Sequence, residues 1–133
     1  MGSFSDHWED EIIDHVFKTG SYTAPTNIYV ALCKSTIADD DTGSTLPSEL
    51  SGGEYARVTC NTWDASSGGA TENTQPVTFA QATADWGTVT DFALCDHSTA
   101  GNMLAYGKLT TAKNVQSGDT FKFATGDIDV TLA

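Results

Sequence analysis

The feature that most constrains the fold is a series of short strand patterns that begins after Pro25. Seven stretches are rich in β-branched, aromatic and alternating apolar residues, as is typical of strands: 27–34, 54–60, 75–82, 87–96, 102–111, 119–124 and 127–133. Turn-forming runs such as "SSGG", "STAGN", "QSGD" and "TGD" separate them. Short strands at this spacing favour a mainly β fold, an antiparallel β-sandwich or jelly-roll-like domain, over alternating βαβ units.

One amphipathic N-terminal α-helix is predicted before the strands, over residues 5–19. Its apolar side chains recur at helical spacing and form one stripe: Trp8, Ile12, Ile13, Val16 and Phe17. Ser5 can cap the first turn, and Gly20 can end the last one. A lone helix of this length is marginal in water, so the stripe must pack against the domain's own sheet or against another subunit. Both alternatives stay open, and the stripe is a candidate interface.

Length and charge bound the class of protein. The 133 residues suit a single domain, 1–133, in which a β-sandwich over 27–133 carries a long polar loop at 35–53. Eighteen acidic residues against six basic ones give a formal net charge of −12, which repels phosphate backbones and anionic lipids. We therefore expect no nucleic acid and no membrane as partner. The acidic, interrupted start predicts neither a signal peptide nor a membrane span.

Few residue groups suggest chemistry. The run Cys95–Ser98 offers a thiol, a carboxylate, an imidazole and a hydroxyl, but neighbours on a strand are not aimed at one another, so we interpret it as a strand end entering a turn. His7, Glu11 and His15 recur at helical spacing, and a solvated acidic face explains them better than a metal site does. The carboxylates of "ADDDTG", 38–43, lack the spacing of a calcium loop. We predict no enzyme, no metal site and no cofactor.

The aromatic residues and the cysteines are interpreted by their surroundings. Most aromatic residues lie in strand patterns and are expected in the core: Trp86, Phe92, Phe121 and Phe123. Trp63, between polar neighbours, is the candidate exposed binding aromatic. The cysteines are far apart, lack CxxC spacing and are odd in number, which leaves buried packing and crosslinking both open: Cys33, Cys60 and Cys95.

Several ordered segments resemble a family of small virion proteins of tailed bacteriophages: "YTAPTNIYVAL", "GGEYAR", "ATADWGTV" and "SGDTFKFA". The resemblance extends over nearly the whole chain. Proteins of this family are labelled tail fibre proteins, and in some phages they are similar to capsid decoration or cement proteins. No catalytic residue comes with the resemblance.

The resemblance implies a non-enzymatic structural protein of the virion, made in the bacterial host cytoplasm. We expect it to bind the outer surface of the head and stabilise it, with the major capsid protein or neighbouring virion proteins as partners and a homo-oligomer as the assembled form. The alternative is a tail fibre-associated or receptor-binding module. Family members more often hold other residues at the three cysteine positions, so interchain disulfides that lock adjacent subunits are a further hypothesis.

Overall fold

The computed structural model describes residues 3–132, which form one helix and nine short to medium strands. In chain order the elements are β1 (Ser3–Phe4), α1 (Asp6–Phe17), β2 (Tyr29–Cys33), β3 (Val58–Thr59), β4 (Ala70–Glu72), β5 (Val77–Thr78), β6 (Gly87–Cys95), β7 (Met103–Val115), β8 (Lys122–Phe123) and β9 (Asp129–Thr131). The prediction of a mainly β chain with one N-terminal helix is confirmed. Within the described residues, no helix is long and apolar enough to cross a membrane.

All strand pairs are antiparallel, as predicted. A five-stranded sheet has the order β1-β7-β6-β2-β3, and two smaller pairs, β4-β9 and β5-β8, complete the fold. The long β6-β7 hairpin forms its centre, and β7 continues to Val115, four residues beyond the predicted end. The jelly-roll arrangement is not confirmed, because the strands outside the large sheet form separate two-stranded pairs.

The main core lies on one face of the large sheet. Val30, Leu32 and Leu94 point into it from β2 and β6, and Phe79 and Ile128 from outside the sheet pack against them. The aromatic residues predicted for the core are placed there: Trp86, Phe121 and Phe123 are buried, and Phe92 is half-buried against them. These rings pack edge to face or tilted, as aromatic quadrupoles prefer.

A second, smaller core covers the other face of the same sheet. Its strand residues are the alternate ones of β2, β6 and β7: Ala31, Cys33, Ala93, Cys95 and Met103. Ile37 and Leu46 of the 35–53 loop pack against these side chains and complete this core. The expectation of a simply polar loop is therefore wrong, because the loop supplies apolar side chains that bury the sheet's second face.

Helix α1 begins after its predicted cap, Ser5, and ends at Phe17, two residues before the predicted end. The Ser5 hydroxyl accepts a hydrogen bond from the Trp8 backbone N–H at 3.2 Å and donates one to the Met103 carbonyl. At the other end Thr19 has a φ of 57°, and the Gly20 N–H donates to the Asp14 carbonyl at 3.0 Å. A Cβ at position 20 would lie 2.9 Å from that carbonyl oxygen, which explains why glycine follows the helix.

Candidate interaction surface

The predicted apolar stripe of α1 divides into an inner and an outer part. Trp8 and Ile12 are half-buried against the domain, whereas Ile13, Val16 and Phe17 are 55%, 64% and 82% exposed. No residue of α1 is fully buried. We call Ile13, Val16 and Phe17 the α1 ridge. Packing against the domain's own sheet thus accounts only for the first half of the helix, and the second half presents apolar side chains to solvent.

The ridge continues into an open groove beside the sheet edge. This groove of about 320 Å³ lies between α1, β1 and β9, and it is lined by Ser3, Phe4, Glu9, Ile12, Ile13, Thr131 and Leu132. Leu132 is 60% exposed and is the one large hydrophobic side chain outside the ridge that is exposed among residues 3–132. The exposed large hydrophobic side chains therefore belong to two neighbouring elements, which is the pattern of an interaction surface and not of scattered surface residues.

The ridge is surrounded by negative charge. Helix α1 carries five carboxylates and no lysine or arginine between its ends: Asp6, Glu9, Asp10, Glu11 and Asp14. Asp10 and Asp14 stand three residues before Ile13 and Phe17, so they lie beside them on the helix surface. A surface that fits the ridge must be apolar at its centre and cationic at its rim.

The buried Arg57 side chain joins two loops by hydrogen bonds, and we call Arg57 with its hydrogen-bond partners the Arg57 clamp. The Arg57 Nε and Nη2 donate to the two carboxylate oxygens of Glu49, both at 2.8 Å. Nη2 also donates to the Gly43 carbonyl at 2.7 Å, and Nη1 donates to the carbonyls of His97 and Ala100 at 2.9 and 3.0 Å. All five N–H groups of the guanidinium therefore have acceptors. The clamp joins the 35–53 loop to the turn after β6.

Tyr55 extends the clamp into the sheet. Its hydroxyl donates to the Glu49 carboxylate at 2.9 Å and accepts from the Leu32 backbone N–H at 3.0 Å. Burial, together with the Glu49 charge, raises the pKa of Tyr55, so the hydroxyl keeps its proton. Sequence reasoning missed this cluster. The signal was present, since "GEYAR" places an arginine inside an otherwise apolar strand pattern in a chain with few basic residues.

The three cysteines are unpaired and buried, and the predicted crosslinks are not confirmed. Cys33 lies opposite Asp91 and Cys95 opposite Tyr29, so the two thiols are separated by four residues along the strands, or about 13 Å at the usual rise per residue. A disulfide needs Cα atoms within roughly 7 Å. Burial raises the pKa of both Cys33 and Cys95 to about 12, which keeps them protonated. Cys60 packs in the other core.

The residues after β6 form a turn, as the sequence predicts. Strand β6 ends at Cys95, and the Asp96 carboxylate accepts hydrogen bonds from the backbone and side-chain N–H groups of Asn102 at 2.8 and 2.9 Å. The carbonyl of His97 belongs to the Arg57 clamp. The Asp96 carboxylate and the His97 carbonyl thus have structural partners, and Cys95 packs in the small core.

The candidate metal ligands do not converge. His7 and Glu11 line a shallow depression, but the His15 imidazole accepts a hydrogen bond from the Tyr22 backbone N–H at 3.1 Å instead. In the 38–43 loop Asp41 accepts from the Ala38 backbone N–H at 2.8 Å, and Asp39 accepts from a tyrosine hydroxyl. Over the described part of the chain, no group of three or more ligating side chains is placed to hold a metal ion.

Trp63 is less exposed than its polar neighbours suggest. The indole is half-buried against the main core, and its N–H donates to the Cys60 carbonyl at 2.9 Å. The expectation of a freely exposed indole is therefore wrong. Its role as a binding residue stays a prediction.

Fold and surface together define the class: a small antiparallel β-domain with an acidic helix whose apolar ridge has no partner within residues 3–132. The sequence also identifies the family. The chain belongs to the podophage GP4 fiber I protein gp80 family, whose family model matches residues 3–131. The resemblance to small phage virion proteins is confirmed, and the protein is a phage structural protein of the fibre type. No curated protein matches the chain in sequence.

Proposed function

We propose that the protein decorates the outer surface of the phage head without catalysing a reaction, and that the α1 ridge holds it to a neighbouring virion protein. The observation that supports this is the exposure of Ile13, Val16 and Phe17 on a domain that otherwise buries its large apolar side chains. A folded domain gains nothing from three apolar side chains in water, so their burial against a partner supplies binding energy. The major capsid protein and other copies of this chain are the candidate partners.

Attachment through the ridge is non-covalent. Burial of a Val, Ile or Phe side chain contributes about 1.5–3 kcal/mol, so three of them supply several kcal/mol before the entropy of association is subtracted. Such a contact is weak for one molecule. On a shell that offers many equivalent sites, neighbouring copies add to one another's retention, and a weak contact is sufficient. The net charge of −12 favours exposure to solvent over contact with packaged DNA.

The family description favours a second candidate function, a position on the tail fibre. In that position Trp63 and the 35–53 loop are the candidate receptor-binding surfaces. The loop is closed over the smaller core by Ile37 and Leu46 and is held by the Arg57 clamp, so it presents a shaped surface and not a flexible one.

The deciding experiment is the copy number of the protein per virion, measured by quantitative mass spectrometry against the major capsid protein. A head decoration protein is present in hundreds of copies, whereas a few copies or a few dozen place it at the tail and overturn the proposal. Phe17→Asp and Trp63→Ala separate the two surfaces in the same virions. We expect Phe17→Asp to lower incorporation and make heads sensitive to heat, with adsorption to cells unchanged. Ser66→Asp, which adds a carboxylate at an exposed position outside both surfaces, is the matched control for Phe17→Asp.

A further inference from the structure

The few basic residues of this acidic chain are concentrated at one groove. Of the six Lys and Arg residues, Lys108, Lys113 and Lys122 line a groove of about 300 Å³ between the second half of β7 and β8. All three side chains are exposed at its rim. We call this the lysine groove. Half of the molecule's positive charge is thus placed at one site of a protein whose net charge is −12.

The lining of the lysine groove is mixed: its walls are polar, Phe92 and Leu109 at its bottom are half-buried, and Phe121 and Phe123 belong to the main core. Two carboxylates are near. Asp127 is exposed at the rim, and the buried Asp91 pairs with Lys108, whose Nζ lies 3.3 Å from its carboxylate oxygen. The Lys108 Nζ also donates to the Thr36 hydroxyl at 3.0 Å, so Lys113 and Lys122 are the ammonium groups at the rim that can pair with a partner.

We propose that the lysine groove receives the α1 ridge of a second copy of this chain. The two surfaces are opposite in shape and in charge: a convex apolar ridge flanked by Asp10 and Asp14, and a groove flanked by lysines with the half-buried Phe92 and Leu109 at its bottom. Phe17, 82% exposed, is the side chain that enters the groove. Such complementarity brings the two surfaces together and excludes wrong registers.

One chain cannot fill its own groove. Helix α1 is fixed beside the start of β7, where the Ser5 backbone N–H donates to the Leu104 carbonyl at 2.8 Å. The lysine groove begins at Lys108 and extends along the same strand away from that point. Each copy therefore offers its ridge to the groove of another copy, and its own groove to the ridge of that copy or of a third. A contact of this heterologous kind forms a closed ring or an open array, according to the rotation between copies.

The contact is small, and this sets its strength. A ridge of three side chains covers a few hundred Å², less than the roughly 800 Å² per partner of a standard stable interface. The like net charges of the two copies oppose association, but at physiological ionic strength they are screened beyond about 8 Å, whereas the facing charges at the rim are closer than that. We therefore expect association at high local concentration. The inference gives a partner to the ridge of the proposed function.

Sedimentation velocity of the purified full chain, from micromolar to millimolar protein, tests the inference apart from the virion. We expect wild-type protein to associate with rising concentration. Lys113→Glu/Lys122→Glu and Asp10→Lys/Asp14→Lys should each weaken association at least tenfold. An equimolar mixture of these two variants should associate again, because each supplies the surface that the other has lost. Circular dichroism verifies that both variants fold.

Asp40→Lys/Asp64→Lys makes the same charge change as Asp10→Lys/Asp14→Lys at exposed positions away from both surfaces and should leave association intact. The inference is overturned if wild-type protein stays monomeric throughout, if the mixture stays monomeric, or if the control variant loses association equally. Monomeric protein that is still incorporated into virions through Phe17 refutes this inference alone and leaves the proposed function standing.

Discussion

Replacing Arg57 with lysine removes the geometry of the clamp but keeps the positive charge. The guanidinium makes five hydrogen bonds, two to Glu49 and three to backbone carbonyls of two different loops. The side chains of Arg57 and Glu49 are only 3% and 22% exposed, so water does not replace what is lost. Lysine has three donors on one nitrogen and cannot reach acceptors that surround a planar group.

The expected loss in the free energy of unfolding follows from the burial of the Arg57–Glu49 ion pair. Breaking a buried ion pair by removing one partner destabilises a protein by about 3–5 kcal/mol. Because lysine retains the charge and part of the pairing with Glu49, we expect the lower end, about 3 kcal/mol. This is a large share of the roughly 5–15 kcal/mol by which a domain of this kind is stable.

Equilibrium unfolding in urea, followed by tryptophan fluorescence, measures the loss. With a slope of about 1–3 kcal/mol per molar urea, the unfolding midpoint should fall by roughly 1–3 M. Lys18→Ala removes an exposed charge after α1 and should leave the midpoint unchanged. If Arg57→Lys stays within about 1 kcal/mol of wild type, the clamp does not hold the loops, and the reasoning is refuted.

Three further predictions concern the two cores and the loop that closes one of them. Gly43→Ala would place a Cβ 2.1 Å from the Ala100 carbonyl oxygen and should lower stability by about 3 kcal/mol in thermal melts, while Ser44→Ala next to it should not. A maleimide should label no thiol in native protein and all three in urea; rapid native labelling would contradict the burial. Stability should fall as pH rises from about 9 towards 12, because burial raises the pKa of Cys33 and Cys95 from 9.0 to about 12, so unfolded thiols ionise first. Each thiol should contribute up to about 1.4 kcal/mol per pH unit, and a double alanine variant should remove that part of the slope while the part due to Tyr55, whose pKa burial also raises, remains.

Much of the large sheet could be predicted from local sequence, and the reason is the strength of its patterns. The segments around β2, β6 and β7 are long, alternating and rich in strand-forming residues, and each is a strand. β1 and β4 were missed, because two or three residues carry no measurable period. Their pairing is decided by distant partners.

The second core could not be predicted, because its covering residues stand alone in a polar loop. Ile37 and Leu46 have no apolar period around them, and nothing local shows that they close over Cys33 and Cys95. Burial on both faces of β2 is a tertiary property. The half-burial of Trp63 has the same origin, since its indole N–H bonds to the Cys60 carbonyl across a turn.

The interaction surface could be predicted in part. The helical period identified the apolar stripe. It did not show whether the stripe packs against the domain's own sheet or against another subunit, because a period identifies the apolar face of a helix but not what covers that face. In the structure the stripe packs against the domain as far as Ile12, and from Ile13 onward it is exposed to solvent. Leu132 and the lysine groove were missed, because both arise from residues that only the folded chain brings together.

The pairing of β1 with β7 has a consequence for the order of events during synthesis. Ser3 and Phe4 pair with Tyr106 and Ala105, which are synthesised about a hundred residues later. At about 5–20 residues per second, several seconds pass between the synthesis of α1 and the synthesis of β7, the strand beside which α1 is fixed. The lysine groove also contains residues from β8, made later still. The α1 ridge is therefore positioned only once β7 has been made, and the groove also requires β8, so nascent chains that have not reached these strands cannot join.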